Sequence, residues 1–110
     1  MKRDTTLADY QAFARTTAVY PAERRLEYLG LGLASEAGEV AGVVKKWIRD
    51  GTSEDELRAR LAAEMGDVCW YLAELCSAAG LDLGDVFAAN MRKLQDRMDR
   101  GVIKGGGDHR

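Results

Sequence analysis

Residues 35–50, SEAGEVAGVVKKWIRD, and residues 61–75, LAAEMGDVCWYLAEL, decide how this chain folds. In the second stretch and its surroundings, Leu57, Leu61, Met65, Val68, Leu72, Leu75, Cys76 and Ala79 fall within about 100° of one another on a helical wheel. Leu26, Leu29, Leu33, Ala37, Val40, Val44 and Ile48 form the matching stripe through the first. Asp50-Gly51 ends one helix. Thr52-Ser53 opens the next, with Ser53 and Glu56 in the spacing of a capping box. A turn this short makes the two helices antiparallel neighbours.

Working outward, a first helix is expected over about Thr6 to Ala18, with Leu7, Tyr10, Ala14 and Thr17 on one face. Tyr20-Pro21 ends that segment, because the residue before a proline avoids helical geometry. The second helix should run from about Ala22 to Arg49 and the third to about Ala79, with Gly80 as its C-terminal cap. Asp82 caps a fourth helix that carries Val86, Phe87, Met91 and Leu94 and ends near Arg100. Residues 101–110, GVIKGGGDHR, read as a mobile glycine-rich tail. The domain proper is residues 1–100.

The fold class is all-α. Helices of roughly 40 Å outrun a compact chain of this length, whose radius of gyration should be about 13 Å. A four-helix bundle-like domain completed by homo-oligomerisation with a second copy of the chain answers that mismatch.

Composition narrows the function. Apolar residues are 46% and charged residues 31% of the 110, as in a soluble globular domain. A net charge of −2, with no continuous basic patch, gives no footprint for nucleic acid. No apolar run is long enough to span a bilayer. No apolar core follows the basic start MKRDTTLADY, so a secretory leader is not expected. Cys69 and Cys76 share a helix about 10 Å apart, too far for a disulfide, which suits a reducing cytoplasm. The single histidine, His109, is next to last, which disfavours a His-based metal site or a Ser–His triad.

Four acids do not belong on a core shoulder. Glu36 and Glu39 on the second helix, and Glu64 and Asp67 on the third, are each spaced i, i+3 and share a face. The first pair lies 11 to 14 residues before the turn and the second 12 to 15 after it, so both arrive at one height. Two unit charges 4 Å apart repel by about 4 kcal/mol at an effective dielectric of 20. Four such groups need raised pKa values or a bound cation. Salt bridges to Lys45, Lys46 or Arg60 are the ordinary alternative. An all-oxygen site selects a hard divalent ion, and Mg²⁺ typically couples such acids to phosphates.

These residues carry a family resemblance. Glu36-x-x-Glu39, 24 intervening residues (positions 40–63) and Glu64-x-x-Asp67, within the words EAGEVAG and EMGDVCWYL, resemble the MazG-like nucleotide pyrophosphohydrolases of the all-α NTP pyrophosphatase superfamily. NMRKLQDR resembles that family's Asn-x-x-Lys element, and the C-terminal RGVIKGGGDHR resembles the ending of small stand-alone members. The likeness runs from about Tyr10 to the end.

The resemblance implies Mg²⁺ bound by Glu36, Glu39, Glu64 and Asp67, with Mn²⁺ as a possible substitute. It also implies hydrolysis of a nucleoside triphosphate to the monophosphate and pyrophosphate. Glu39, furthest from the apolar stripe, is the expected acceptor of the water's proton. Lys46, two turns past Glu39, together with Asn90 and Lys93, is expected to contact substrate. Trp47 and Trp70 could stack on a base, although core or interface is the commoner fate of such a tryptophan. Lys104 and Arg110 in the tail could fold over phosphate. The alternatives are the same fold specific for dUTP, dCTP or phosphoribosyl-ATP, and a catalytically inactive helical interaction module.

Overall fold

A computed structural model describes residues 4–110. Among them the regular structure is helical: α1 (Leu7–Thr16), α2 (Arg25–Asp50), α3 (Glu54–Ala78) and α4 (Leu83–Asp99). A short 3-10 turn, Ala22–Arg24, takes up the residues after Pro21, so α2 starts three residues later than its apolar pattern suggests. α1 likewise stops at Thr16, two residues short of the expected Ala18, and its last turn is closed by the Thr17 N–H on the Ala14 carbonyl and the Ala18 N–H on the Arg15 carbonyl.

Local chemistry sets the other boundaries. Thr6 and Asp9 form a complete capping box at the start of α1. Gly51, at φ 66°, ends α2 in the left-handed region, where glycine carries no Cβ penalty. Ser53 Oγ accepts the Glu56 N–H, but the reciprocal half of the expected box is not made. The Glu56 carboxylate pairs instead with Arg60 at 2.7 Å. Gly80, at φ 73°, closes α3, with the Leu81 N–H bonded to the Cys76 carbonyl at 2.8 Å.

The dominant packing is α2 against α3, joined through residues 51–53 as an antiparallel pair. α1 packs on α3, and α4 packs on α1 and α3. The core is small: Ala14, Ala73, Cys76 and Leu83 are buried together, with Tyr10, Trp70, Leu72 and Val86 around them. Ala14 and Ala73 leave no bulk between α1 and α3, which lets those helices approach closely.

Of the α2 stripe only Leu29 is fully buried in the protomer. Leu26, Val44 and Ile48 remain exposed, as does Met65 on α3. The radius of gyration is 16.7 Å, well above the roughly 13 Å of a compact chain of this length.

The tail is turned back rather than extended. The Arg110 guanidinium donates to the carbonyls of Val102, Ile103 and Gly107, and Asp108 accepts from Lys93 and Arg97. Gly101, Gly105 and Gly107 have positive φ, so the glycines supply the turns this closure needs. No helix among the described residues is long and apolar enough to cross a membrane. Both cysteines are free, Cys69 exposed and Cys76 buried.

Candidate active site

The α2–α3 pair delivers the acids as their equal distances from the turn require. Carboxylate oxygens of Glu36, Glu64 and Asp67 lie within 4.8 Å of one another. Glu36 and Glu64 are half-buried and Asp67 is exposed. Partial loss of water, followed by the charges of Asp67, Glu64 and Glu39, pushes the Glu36 carboxyl above its ordinary value.

These acids lack an ion-pair partner. Among the described residues, none of the salt bridges reaches Glu36, Glu39, Glu64 or Asp67. Arg60 is engaged with Glu56 and Arg49 with Asp50. The salt-bridge alternative for the four acids is therefore not realised. Three convergent, uncompensated carboxylates form an all-oxygen donor set that could hold a metal ion.

Glu39 stands outside the group of three. It lines an adjoining cleft of about 280 Å³ with Gly42, Val43, Lys46, Arg60, Ala63 and Glu64, on the side toward the α2–α3 turn. Glu64 borders both the cleft and the triad.

Residues 24–102, which include all four acids, match the family described as the MazG nucleotide pyrophosphohydrolase domain. The chain belongs to that family. It is also 46% identical over 109 residues to the Gene 37 protein of Mycobacterium phage L5, covering 92% of this chain and 96% of that protein. No solved structure matches it. Family membership suggests nucleotide pyrophosphohydrolase activity in general.

On the other side of the triad the MazG domain carries aromatic rings. Tyr71, one turn after Asp67, lies against Gly32, one turn before Glu36; a Cβ on Gly32 would sit 2.0 Å from the Tyr71 ring. Tyr28 and Tyr71 have centroids 6.3 Å apart, and Tyr20 stacks on Tyr28 at 5.3 Å. Trp70 meets Tyr71 edge-on at 5.0 Å and donates its indole N–H to Thr17 Oγ1 at 2.7 Å. Trp70 is thus a packing residue that ties α1 to α3. Trp47 is half-buried near the C-terminal end of α2.

Beneath the rings sits a residue that sequence reasoning missed. Glu74 is fully buried; its Oε1 accepts from Arg15 at 2.9 Å and from Tyr20 at 2.6 Å, while Oε2 has no partner. The available signal was an acid seven residues after Asp67, on nearly the same helix face and inside the apolar run Tyr71–Cys76.

The α4 residues are placed differently from the acids. Asn90 is exposed, and Lys93 is half-buried and bonded to Asp108 at 2.8 Å. α4 does not pack against α2, and neither side chain makes a hydrogen bond or salt bridge to the four acids. A larger hollow of about 450 Å³ lies between α1 and the end of α3. Its central polar residue, Gln11, is already committed to Ser77, Leu81 and Leu83, which marks a structural tie.

Proposed function

We propose that this MazG domain hydrolyses nucleoside triphosphates to nucleoside monophosphate and pyrophosphate, with Mg²⁺ as the required ion and Mn²⁺ able to replace it. The observation that supports this most is the meeting of Glu36, Glu64 and Asp67 within 4.8 Å, with none of the three in an ion pair among the described residues. Their donor set fits a hard divalent ion, and Glu36, Glu64 and Asp67 would hold it, with Glu39 the nearest further carboxylate. Bound there, such an ion supplies charge neutralisation of phosphate oxygens and a lowered pKa for a coordinated water.

The chain's own groups do the rest. Glu39 takes the proton released when water attacks, a role supported by its exposure and by its lying outside the triad and unpaired. Lys46 shares its cleft and offers charge to phosphate. Asn90 and Lys93 add substrate contacts from α4, Lys93 by exchanging the Asp108 carboxylate for a phosphate oxygen. Packing of α2 on α3 holds the acids on two rigid helices, so little reorganisation is needed when substrate binds.

The working unit in this reading is a homodimer or homotetramer in the cytoplasm. Ile48 at 73% and Met91 at 72% exposure are apolar surface that a second copy would cover. An apolar groove of about 330 Å³, lined by Ala37, Val40, Met65, Val68 and Cys69, opens between α2 and α3. Light scattering on the purified protein should give a mass at least twice 12.1 kDa.

The test of activity is pyrophosphate release. Purified protein with Mg²⁺ should liberate pyrophosphate from at least one member of a panel of canonical and damaged NTPs that includes dUTP, dCTP and phosphoribosyl-ATP. No release from any of them, with Mg²⁺ or Mn²⁺, would leave the helical interaction module as the better reading.

A further inference from the structure

The groove that holds the triad has two unlike ends. Toward the α2–α3 turn lies the cleft with Lys46 from α2 and Arg60 from α3. Away from the turn, Tyr71 fills the space beside Gly32 and stands against Tyr28. The acids separate a cationic end from an aromatic one, so an elongated substrate lying across them has a preferred direction.

We infer that Arg60 and Lys46 form the subsite for the pyrophosphate half of the substrate, and that the nucleoside half points toward Tyr71. This rests on the triphosphate hydrolysis proposed above. Pyrophosphate carries most of the substrate's negative charge, and after cleavage it is held only by ionic contacts and hydrogen bonds. Binding it calls for cations beside the metal-holding acids, and the cleft supplies two. Lys46 forms no salt bridge among the described residues. Arg60 is 54% exposed and bound only to Glu56, itself 43% exposed, through one nitrogen. An exposed pair of this kind is weak and screened by salt, so a multiply charged anion competes for the guanidinium. The planar fork of arginine then offers two parallel N–H bonds to phosphate oxygens.

Lys93 and Arg97 are both closed by Asp108, and Arg49 by Asp50. At the aromatic end, Arg15 is bonded to Glu74 and Tyr20.

The test separates the two halves of the product. Inorganic pyrophosphate and the nucleoside monophosphate are each titrated as inhibitors of NTP hydrolysis in the full-length Mg²⁺ enzyme, and each is titrated directly by calorimetry. Arg60→Gln and Lys46→Gln should each weaken pyrophosphate binding about 10- to 100-fold, the scale of a lost bond to a charged group. Monophosphate binding should stay within about 2-fold. Both positions are exposed, so neither change should lower the melting temperature. Unchanged pyrophosphate binding in both variants, or equal weakening of pyrophosphate and monophosphate, would overturn the assignment. If the wild type releases no pyrophosphate from any NTP, the proposed activity fails, and calorimetric pyrophosphate binding in the same variants still decides the subsite.

Discussion

The Tyr71 ring occupies the space that Gly32 leaves by having no side chain: a Cβ at position 32 would lie 2.0 Å from Tyr71 Cε1 and 2.5 Å from Cδ1. Gly32 is one turn before Glu36, and Tyr71 is one turn after Asp67. A tight contact between α2 and α3 therefore sits beside the triad and helps hold the acids at their spacing.

Gly32→Ala should consequently destabilise the protein. Helix propensity favours alanine by about 1 kcal/mol, but overpacking at this contact costs roughly 1–3 kcal/mol. Gly30, in the same helix with nothing within 4 Å of its would-be Cβ, supplies the comparison. Thermal unfolding should show Gly30→Ala raising the melting temperature and Gly32→Ala lowering it, with activity falling only in the second. A rise in both would mean that the contact at Gly32 yields without cost.

Glu64→Gln should remove turnover and leave the fold intact. Glu64 borders both the triad and the cleft, and amide replacement keeps its shape while deleting a repulsive charge. Activity should drop about 100-fold or more, the scale on which one fixed electrostatic contact to a transition state acts. Circular dichroism should match wild type, and the metal-free variant should melt at or above the wild-type temperature. Full activity in Glu64→Gln would refute its role.

Tyr20→Phe tests the buried acid. Glu74 Oε1 accepts from both Tyr20 and Arg15. Deleting the phenol leaves a fully buried carboxylate with one donor, and bonds to charged groups are worth about 1.5–3 kcal/mol. Chemical denaturation should show a loss of that size with an unchanged slope. A loss below about 0.5 kcal/mol would indicate that the Tyr20 bond contributes little.

Acidity should act on Glu36 in a defined direction. Its folded carboxyl holds a proton more tightly than the ordinary value of 4.5. Ionised Glu36 therefore costs stability at neutral pH, and this cost is relieved as pH falls through the raised folded value toward 4.5. Asp50 and Asp108 act oppositely: their carboxyls are depressed below 3.8 by Arg49, and by Lys93 and Arg97. Their stabilisation is full above 3.8 and is lost at still lower pH. In metal-free protein, Glu36→Gln should raise the melting temperature at pH 7 and make progressively less difference toward pH 4.5. A difference that grows with acidity would contradict the repulsion inferred here.

The helices were legible because their signals are local. Gly51, Ser53, Gly80 and Asp82 mark boundaries by chemistry that acts within a few residues, and the leucine spacing of α2 and α3 fixes which faces meet. The meeting of Glu36 with Glu64 and Asp67 followed from equal distances to one turn. What stayed hidden depends on residues far apart in the chain or on exact direction. Glu74 gains its partners from positions 15 and 20, more than fifty residues earlier. Glu39 shares a helix face with Glu36 but is rotated about 60° from it, enough to leave the triad for the cleft. The tail's glycines read as mobility, although Arg110 supplies donors for three carbonyls and turns the same glycines into a closed loop.

The most direct measurement is calorimetric titration of Mn²⁺ and of Mg²⁺ into metal-free protein, comparing wild type, Glu36→Gln, Glu64→Gln and the off-site control Glu56→Gln. The arrangement of carboxylates predicts saturable binding in wild type and Glu56→Gln, weakened at least about 10-fold in the other two. Equal binding in all four proteins, or none in wild type, would contradict it.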